Sequence, residues 1–392
     1  MVAMRFWFIC GLLCLFFSAC EKTDPSTLPF TKIYDDQNGN RSFTPLAIAK
    51  ATLDHGYFVL SAYDGWRIQL MKIDKEGNFE WNLFLPEQYV NASPSILTID
   101  NVLYLVCMDP VQVDTRILRI DEVNMSVSQI AHLEEVTYPI HAHYTGDKLY
   151  LLNAPLSSQM MGIHEVSQAL DTVVKGGALS ISMNVDDLLL KHMMHTGTRW
   201  PFYVQSSPEK DLLCVNAFYN YSFSSVFMDS DLQFNGVING AGLEGGLLAM
   251  APLGQQKFAF ARKAGDLVLF NPMLAINPST VAMATALEAQ GDAELDPTKP
   301  VILKDITHQT VSYKMLVAST RSNQLVLKLY DASGKKVGSR YLSKNVPIKA
   351  CDAIQTPYGE VLILAQVRVM GSFNRIATIK LTPTNLQELL QP

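Results

Sequence analysis

Cysteine is scarce, with six in 392 residues, and three of these fall within the first twenty positions. Cys107, Cys214 and Cys351 remain, without a CxxC pair or a matched spacing. That argues against a disulfide framework or a zinc site, although one disulfide stays possible in an oxidising compartment. Cys107 (YLVCMD) and Cys214 (DLLCVN) sit inside apolar runs, where a thiol acts as a small core hydrophobe. Charge is also thin: 17% of residues are charged, and the formal net charge is −6. No basic stripe gathers, which argues against a nucleic-acid partner. No apolar run beyond residue 20 is long enough for a membrane-spanning helix. The chain carries no G-x-S-x-G elbow, H-E-x-x-H helix or phosphate-binding loop, so no residue is assigned as catalytic. Nothing in the residues calls for a cofactor.

The leader is the clearest positive signal. Arg5 is the only charge in MVAMRFWFICGLLCLFFSAC (1–20), and about a dozen apolar residues follow it, the anatomy of a secretory signal. Small Ser18 and Ala19 precede Cys20, so the segment resembles a bacterial lipobox, with Phe17 where Leu is more usual. The resemblance implies cleavage of residues 1–19 and lipidation of Cys20. It also implies a membrane partner held through acyl chains, in numbers sufficient for stable anchoring. Residues 20–30 then read as a lipidated cysteine on a flexible tether. The location expected is the outer membrane, on either its periplasmic or its outward face.

Residues 31–392 show a repeat. Proline precedes a short apolar strand at Pro45, Pro94, Pro139, Pro201, Pro300 and Pro347, and Gly245-Gly246 stands in that place in one unit. A strongly β second strand follows (YFVLSAY 57–63, VLYLVCM 102–108, EVLILAQ 360–366 and four more). A third strand then ends at a polar turn residue (RIQLMKID 67–74, QLVLKLYD 324–331). Pro45, Pro94 and Pro139 are 49 and 45 residues apart, and Pro300 and Pro347 are 47 apart. This period, with about four strands per unit, predicts an all-β fold, a β-propeller of seven four-stranded blades, with six or eight as alternatives. One blade cannot cover its own apolar faces, and a ring buries each against two neighbours. TKIYDD (31–36) precedes the first unit and can supply the outer strand of the last blade.

DGWRIQLMKIDKEGNFEW (64–81) and QLVLKLYDASGKKVGSRYL (324–342) resemble the blade repeat of bacterial propeller lipoproteins. There an apolar strand ends in Asp, a Gly turn follows, and a Trp opens the outer strand. The quinoprotein-like propellers, including the scaffold lipoprotein of the outer-membrane barrel-assembly machine, are a broader relative. The resemblance covers most of the chain as architecture, but only Trp81 holds the docking Trp position, and it transfers no cofactor site.

Two stretches interrupt the repeat, 165–200 and 278–299. DDLLLKHMM in the first reads as a short helix, and the Ala/Met/Leu/Glu run in the second is helix-like. Each leads into an innermost strand, so both are expected on one rim, where loops carry function more often than scaffolds do.

Candidate residues each have a plainer reading. His141 and His143 alternate on one innermost strand and share a face, either as channel ligands or as hydrogen-bonded structural polars. Trp66, Trp200, Tyr219 and Tyr221 lie near turns, as stacking platforms for a sugar or peptide or as packing between blades. His192, Met193 and His195 combine imidazole and thioether, which suits copper; alternatively Met fills core gaps and the histidines cap or face water. The reading that follows is a membrane-tethered, non-enzymatic propeller scaffold for a protein or glycan partner or another ligand. An extracellular carbohydrate-active enzyme and a periplasmic metal- or redox-handling propeller are its rivals.

Overall fold

The computed structural model describes residues 28–35, 41–209, 211–242, 247–343, 346–369 and 373–391. The leader with Cys20, and the Gly245-Gly246 mark, lie outside the described residues. Seven antiparallel sheets form seven blades in a ring. Blade 1 spans strands β2 to β5 (Phe43–Lys50, Tyr57–Tyr63, Arg67–Ile73, Phe79–Phe84), and blade 2 spans β6 to β9 between residues 96 and 137. Blade 3 spans β10 to β13 (Pro139–Tyr144, Leu149–Asn153, Met160–Val166, Val173–Ser180). Blade 4 begins with β14 (Tyr203–Ser206), blade 5 with β18 (Leu247–Gly254), and blade 6 with β23 (Val301–His308). Blade 7 is built from β27 (Ile348–Gln355), β28 (Val361–Arg368), β29 (Asn374–Leu381) and the N-terminal strand β1 (Phe30–Tyr34). Phe30 pairs with Lys380 and Tyr34 with Ile376, so the start of the chain closes the last blade as the sequence predicts.

Why these segments form blades is visible in their burial. Every residue of Tyr57–Tyr63 and of Leu325–Tyr330 is buried, because the middle strands are covered on both faces by adjacent blades. Outer strands such as Phe79–Phe84 are half exposed. The apolar side chains sort into seven clusters, one at each seam between neighbouring blades. The cluster joining Phe43, Ile48 and Val59 to Leu362, Leu364 and Ile376 seals blade 1 against blade 7. Trp81 docks edge-on to Phe58, ring centroids 5.6 Å apart. The Asp that ends a third strand makes its turn: Asp74 Oδ1 accepts from the N–H groups of Glu76 and Asn78 at 2.9 and 2.7 Å, with Gly77 at φ 76°. Asp331 repeats this with Ser333, Lys335 and Gly334 at φ 83°. The carboxylate stands in for a backbone acceptor, and glycine supplies the left-handed residue.

The two interruptions resolve differently. Within 165–200, Val173–Ser180 is the outer strand of blade 3, and the true excursion runs from 181 to 202. Its helix α1 (Asp186–Met193) forms where DDLLLKHMM predicts one. The helix expected in 278–299 does not form. Val281–Met283 joins blade 4 as a fifth, parallel strand, a single 3-10 turn covers Ala284–Ala286, and Gln290–Asp292 is the outer strand of blade 5. Pairing on both sides gives backbone groups better partners there than an isolated turn of helix would. Nor do the two stretches share a rim. In an antiparallel blade the link into an innermost strand and the link after a third strand lie at opposite ends. The 181–202 excursion is of the first kind, and the chain after residue 275 of the second. A C-terminal helix α2 (Pro383–Leu390), capped by reciprocal Thr382 and Asn385 bonds, packs on blade 6 at Gly338. Among the described residues no helix is long and apolar enough to cross a membrane.

Candidate functional site

The 181–202 excursion leaves the outer strand of blade 3 and returns as the innermost strand of blade 4. Ser182 N–H donates to Asn220 O at 2.7 Å, fixing its start to the turn of blade 4. Asp186 and Asp187 occupy the first turn of α1, where the helix dipole favours them, and Asp186 Oδ1 accepts from Ser157 N–H at 3.1 Å. Leu189 and Met193 enter the apolar seam between blades 3 and 4. The helix ends in a left-handed turn: His195 N–H donates to His192 O at 3.2 Å, and Thr196 N–H donates to Lys191 O at 3.0 Å, with His195 at φ 55°. Glycine is the usual occupant of that position. Trp200 then folds into an aromatic nest, 5.0 Å from Phe218 and 5.1 Å from Phe223.

Between these anchors, residues 194–199 reach across the ring. The Met194 carbonyl lies against Gly65 in the turn of blade 1. Arg199 Nη1 donates to Pro45 O at 3.3 Å, on the innermost strand of blade 1. Blades 1 and 4 are on opposite sides of the circle, so the arm crosses the axis over one end of the channel. There Arg199 has Cys351 and Asp352 of blade 7 and His141 of blade 3 as electrostatic neighbours, and Lys349 neighbours Arg199 and Cys351. Arg199, His195, Lys349 and His141 lie deep in the molecule yet keep part of their surface accessible, as the lining of a water-filled channel does.

The electrostatics follow from that enclosure. Burial pulls the Arg199 guanidinium below its ordinary value, opposed by Cys351 and Asp352. Burial also lowers Lys349, with Arg199 and Lys299 pushing the same way and Cys351 opposing. His195 is depressed to about 3 by burial and then by Arg199 and Lys349. Burial raises the Cys351 thiol, against Lys349 and Arg199, so it is no activated nucleophile. Among the described residues Asp352 is the one carboxylate that neighbours Arg199. It is engaged already: Oδ2 accepts from Ile48 N–H at 3.1 Å, and Oδ1 accepts from Ala353 N–H at 2.8 Å and pairs with Lys304 at 3.3 Å.

The residues singled out from sequence fall into three groups. His141 and His143 do share a face at the channel. His141 Nδ1 accepts from Val204 N–H and His143 Nε2 from Ser206 N–H, both at 3.3 Å, which pins blade 3 to blade 4. Burial depresses them to about 3 and about 4, with His143, Lys304 and Arg199 adding at His141 and Lys304 at His143. Trp66 is half-buried on the rim beside Gly65, its carbonyl accepting from Asn91 N–H at 2.7 Å. Trp200 is a packing aromatic, and Tyr219 packs against the same seam. Tyr221 stands 72% exposed at the hairpin tip of blade 4. His192 Nδ1 accepts from Trp200 N–H at 3.0 Å and its ring meets Phe202 edge-on, while Met193 is buried in the seam. Among the described residues no three His, Cys, Asp or Glu side chains converge as a ligand set for a metal ion.

Arg199, Lys349 and Asp352 were not singled out from sequence. A signal for Lys349 exists: His141 and His143 follow Pro139 by two and four residues, and Lys349 and Cys351 follow Pro347 by the same steps. Lys304 likewise lies four after Pro300. A small recess of about 240 Å³ opens beside α1 between Pro155–Met160 and Ile181–Leu189, apart from this cluster.

The chain matches no protein-family model, and no curated protein matches it. Several solved structures are similar in fold. The periplasmic gluconolactonase of Pseudomonas aeruginosa is 13% identical, with 84% of this chain and 97% of that one covered at TM-score 0.50. The S. cerevisiae core factor is 8% identical over 94% of this chain and 63% of its own, also at 0.50. The β-propeller domain of the trilobed protease from Pyrococcus furiosus is 10% identical over 92% and 98%, at 0.44. At such identities the likeness is one of architecture: the chain is an all-β, seven-bladed propeller.

Proposed function

We propose that this chain is a lipid-anchored envelope protein whose propeller binds a ligand at the channel end beneath the 181–202 arm and does not transform it. The anchor rests on the leader and on Cys20. The binding reading rests on one observation, that the arm crosses the axis and sets Arg199 against the Pro45 carbonyl of blade 1 and among side chains of blades 3 and 7. Glycan cleavage needs two carboxylates at a workable separation. Asp352 is committed to backbone donors and Lys304, and the Cys351 thiol is held protonated. The name of the Pseudomonas neighbour makes lactone hydrolysis the activity to exclude.

The test is a thermal-shift screen of the full chain in nonionic detergent against sugars, sugar acids, short glycans and peptides, run beside hydrolysis assays on glucono-lactone and glycan substrates. At least one class raises Tm saturably without turnover if the reading holds. Catalysed loss of a lactone or glycan, or no shift from any class, rejects it.

A further inference from the structure

The buried lysines of this propeller supply an internal comparison. Lys380 pairs with Glu360 at 2.9 Å, Lys328 with Asp292 and Glu294, and Lys72 with Asp54 and Glu80. Each of these three ammonium groups is matched by a carboxylate, as desolvation requires, although the buried Arg262 of blade 5 has none among the described residues. The channel end departs from the lysine pattern with more than one cation at once. Among the described residues Arg199 and Lys304 have Asp352 as their shared carboxylate, and Lys349 has no carboxylate or hydrogen-bond acceptor. Arg199 spends one nitrogen on Pro45 O, and its other N–H donors have no partner among the described residues. Holding two cations together between the low-dielectric walls of a narrow channel is unfavourable unless something negative joins them.

A second feature lies beside the same charges. Both ring nitrogens of His195 are screened from solvent without a hydrogen-bond partner, and Arg199 and Lys349 are its charged neighbours. An imidazole carries at least one N–H, and leaving a buried donor unmet costs about 1–3 kcal/mol. His195 also holds the left-handed position at the end of α1, where glycine is cheaper by roughly 1 kcal/mol. A side chain kept at both costs is one with a partner still to come.

From this arrangement we infer that Arg199 and Lys349, with His195, form a binding site for an oxyanion group, a carboxylate or phosphate on a small ligand that enters the channel. The inference rests on the binding reading above and narrows it to a ligand chemistry. Arg199 offers the planar fork that suits either oxyanion in two-point contact, and Lys349 a point charge. His195 donates its ring N–H. The focusing of positive potential between the walls draws the anion inward.

The test is isothermal titration of the full chain in nonionic detergent at low ionic strength, with inorganic phosphate, glucuronate and neutral glucose as probes. At least one of the two anions binds with one-to-one stoichiometry and a Kd below about 1 mM, and added salt weakens it. Arg199→Gln and Lys349→Gln each lose about tenfold or more, whereas Lys349→Arg retains binding. His195→Gly weakens binding while raising Tm, which separates a lost contact from a lost fold. Lys175→Gln, on the outer strand of blade 3, changes nothing. Phosphate in preference to glucuronate assigns a phosphorylated ligand, and the reverse assigns an organic acid. Failure of both anions, or equal binding in all variants, overturns the inference. If glucose or another neutral class still binds, the broader reading survives; if no class binds, both fall.

Discussion

Replacing Lys380 with Met tests how the ring is locked. The side chain of Lys380 is fully buried on the third strand of blade 7, pairs with Glu360 Oε1 at 2.9 Å and donates to Lys75 O of blade 1 at 3.1 Å. Tyr57 of blade 1 donates to Glu360 Oε2 at 3.2 Å, so the pair straddles the seam between the last blade and the first. Met fills a similar volume but strands Glu360 without its counter-charge. Breaking one side of a buried ion pair costs about 3–5 kcal/mol. At about 2.1 cal/mol/K per residue, 392 residues unfold with an entropy of roughly 0.8 kcal/mol/K, so Tm falls by about 4–6 °C. Lys380→Met with Glu360→Leu removes both charges, and the Tyr57 and Thr356 hydroxyls and the Lys75 carbonyl lose partners, at about 1 kcal/mol each. The double variant therefore recovers part of the loss. Thermal and urea unfolding of parent, single and double variants decide it. A single variant within 1 °C of the parent, or a double variant worse than the single, refutes a closure held by compensated charge.

Three further outcomes are expected. Stability falls with pH below 6.5, because the unfolded histidines near that value take up protons before His141 and His143, held at about 3 and about 4 in the fold. Their contribution is whole above pH 6.5 and shrinks toward pH 4, by up to about 1.4 kcal/mol per unit for each. Urea midpoints at pH 7, 6 and 5 measure this, and His141→Gln with His143→Gln flattens the slope; a flat parent profile contradicts it. Gly338→Ala puts a Cβ 2.2 Å from Leu389 Cδ2 and 2.4 Å from Leu389 O, displacing α2 at about 1–3 kcal/mol, read as faster amide exchange over Pro383–Leu390. Cys20→Ser moves the protein from the membrane to the soluble fraction and abolishes palmitate labelling, and a variant that stays membrane-bound removes the anchor.

The middle strands were legible because each is sealed on both faces, which makes runs such as YFVLSAY continuous and unmistakable. The Asp–Gly turns after Asp74 and Asp331 were legible because one carboxylate and one left-handed residue build them locally. Outer strands were harder. Val173–Ser180 alternates exposed and half-buried positions, and Gln290–Asp292 is three residues long. Both therefore passed for insertion. The channel site was half legible. His141 and His143 stood out by residue type, but Lys349 and Arg199 come from blade 7 and from an arm after blade 3. No local pattern joins them. Only phasing the innermost strands from their prolines brings Lys349 into register with the histidines.

The seams and the axis obey opposite rules, and that separation is what lets the site be tested. Seven apolar clusters hold blade to blade. The arm contributes Leu189, Met193 and Trp200 to only one of them. Residues 194–199 add one hydrogen bond to Pro45 and no apolar side chain to any seam. The scaffold therefore gains almost nothing from Arg199, and neutralising it relieves repulsion with Lys349 more than it removes packing. Arg199→Gln should leave Tm within about 1 °C or raise it. A large fall in Tm would mean that the crossing arm staples the ring and that its charge is structural; an unchanged Tm with lost anion binding would leave recognition as the reason the charge is there.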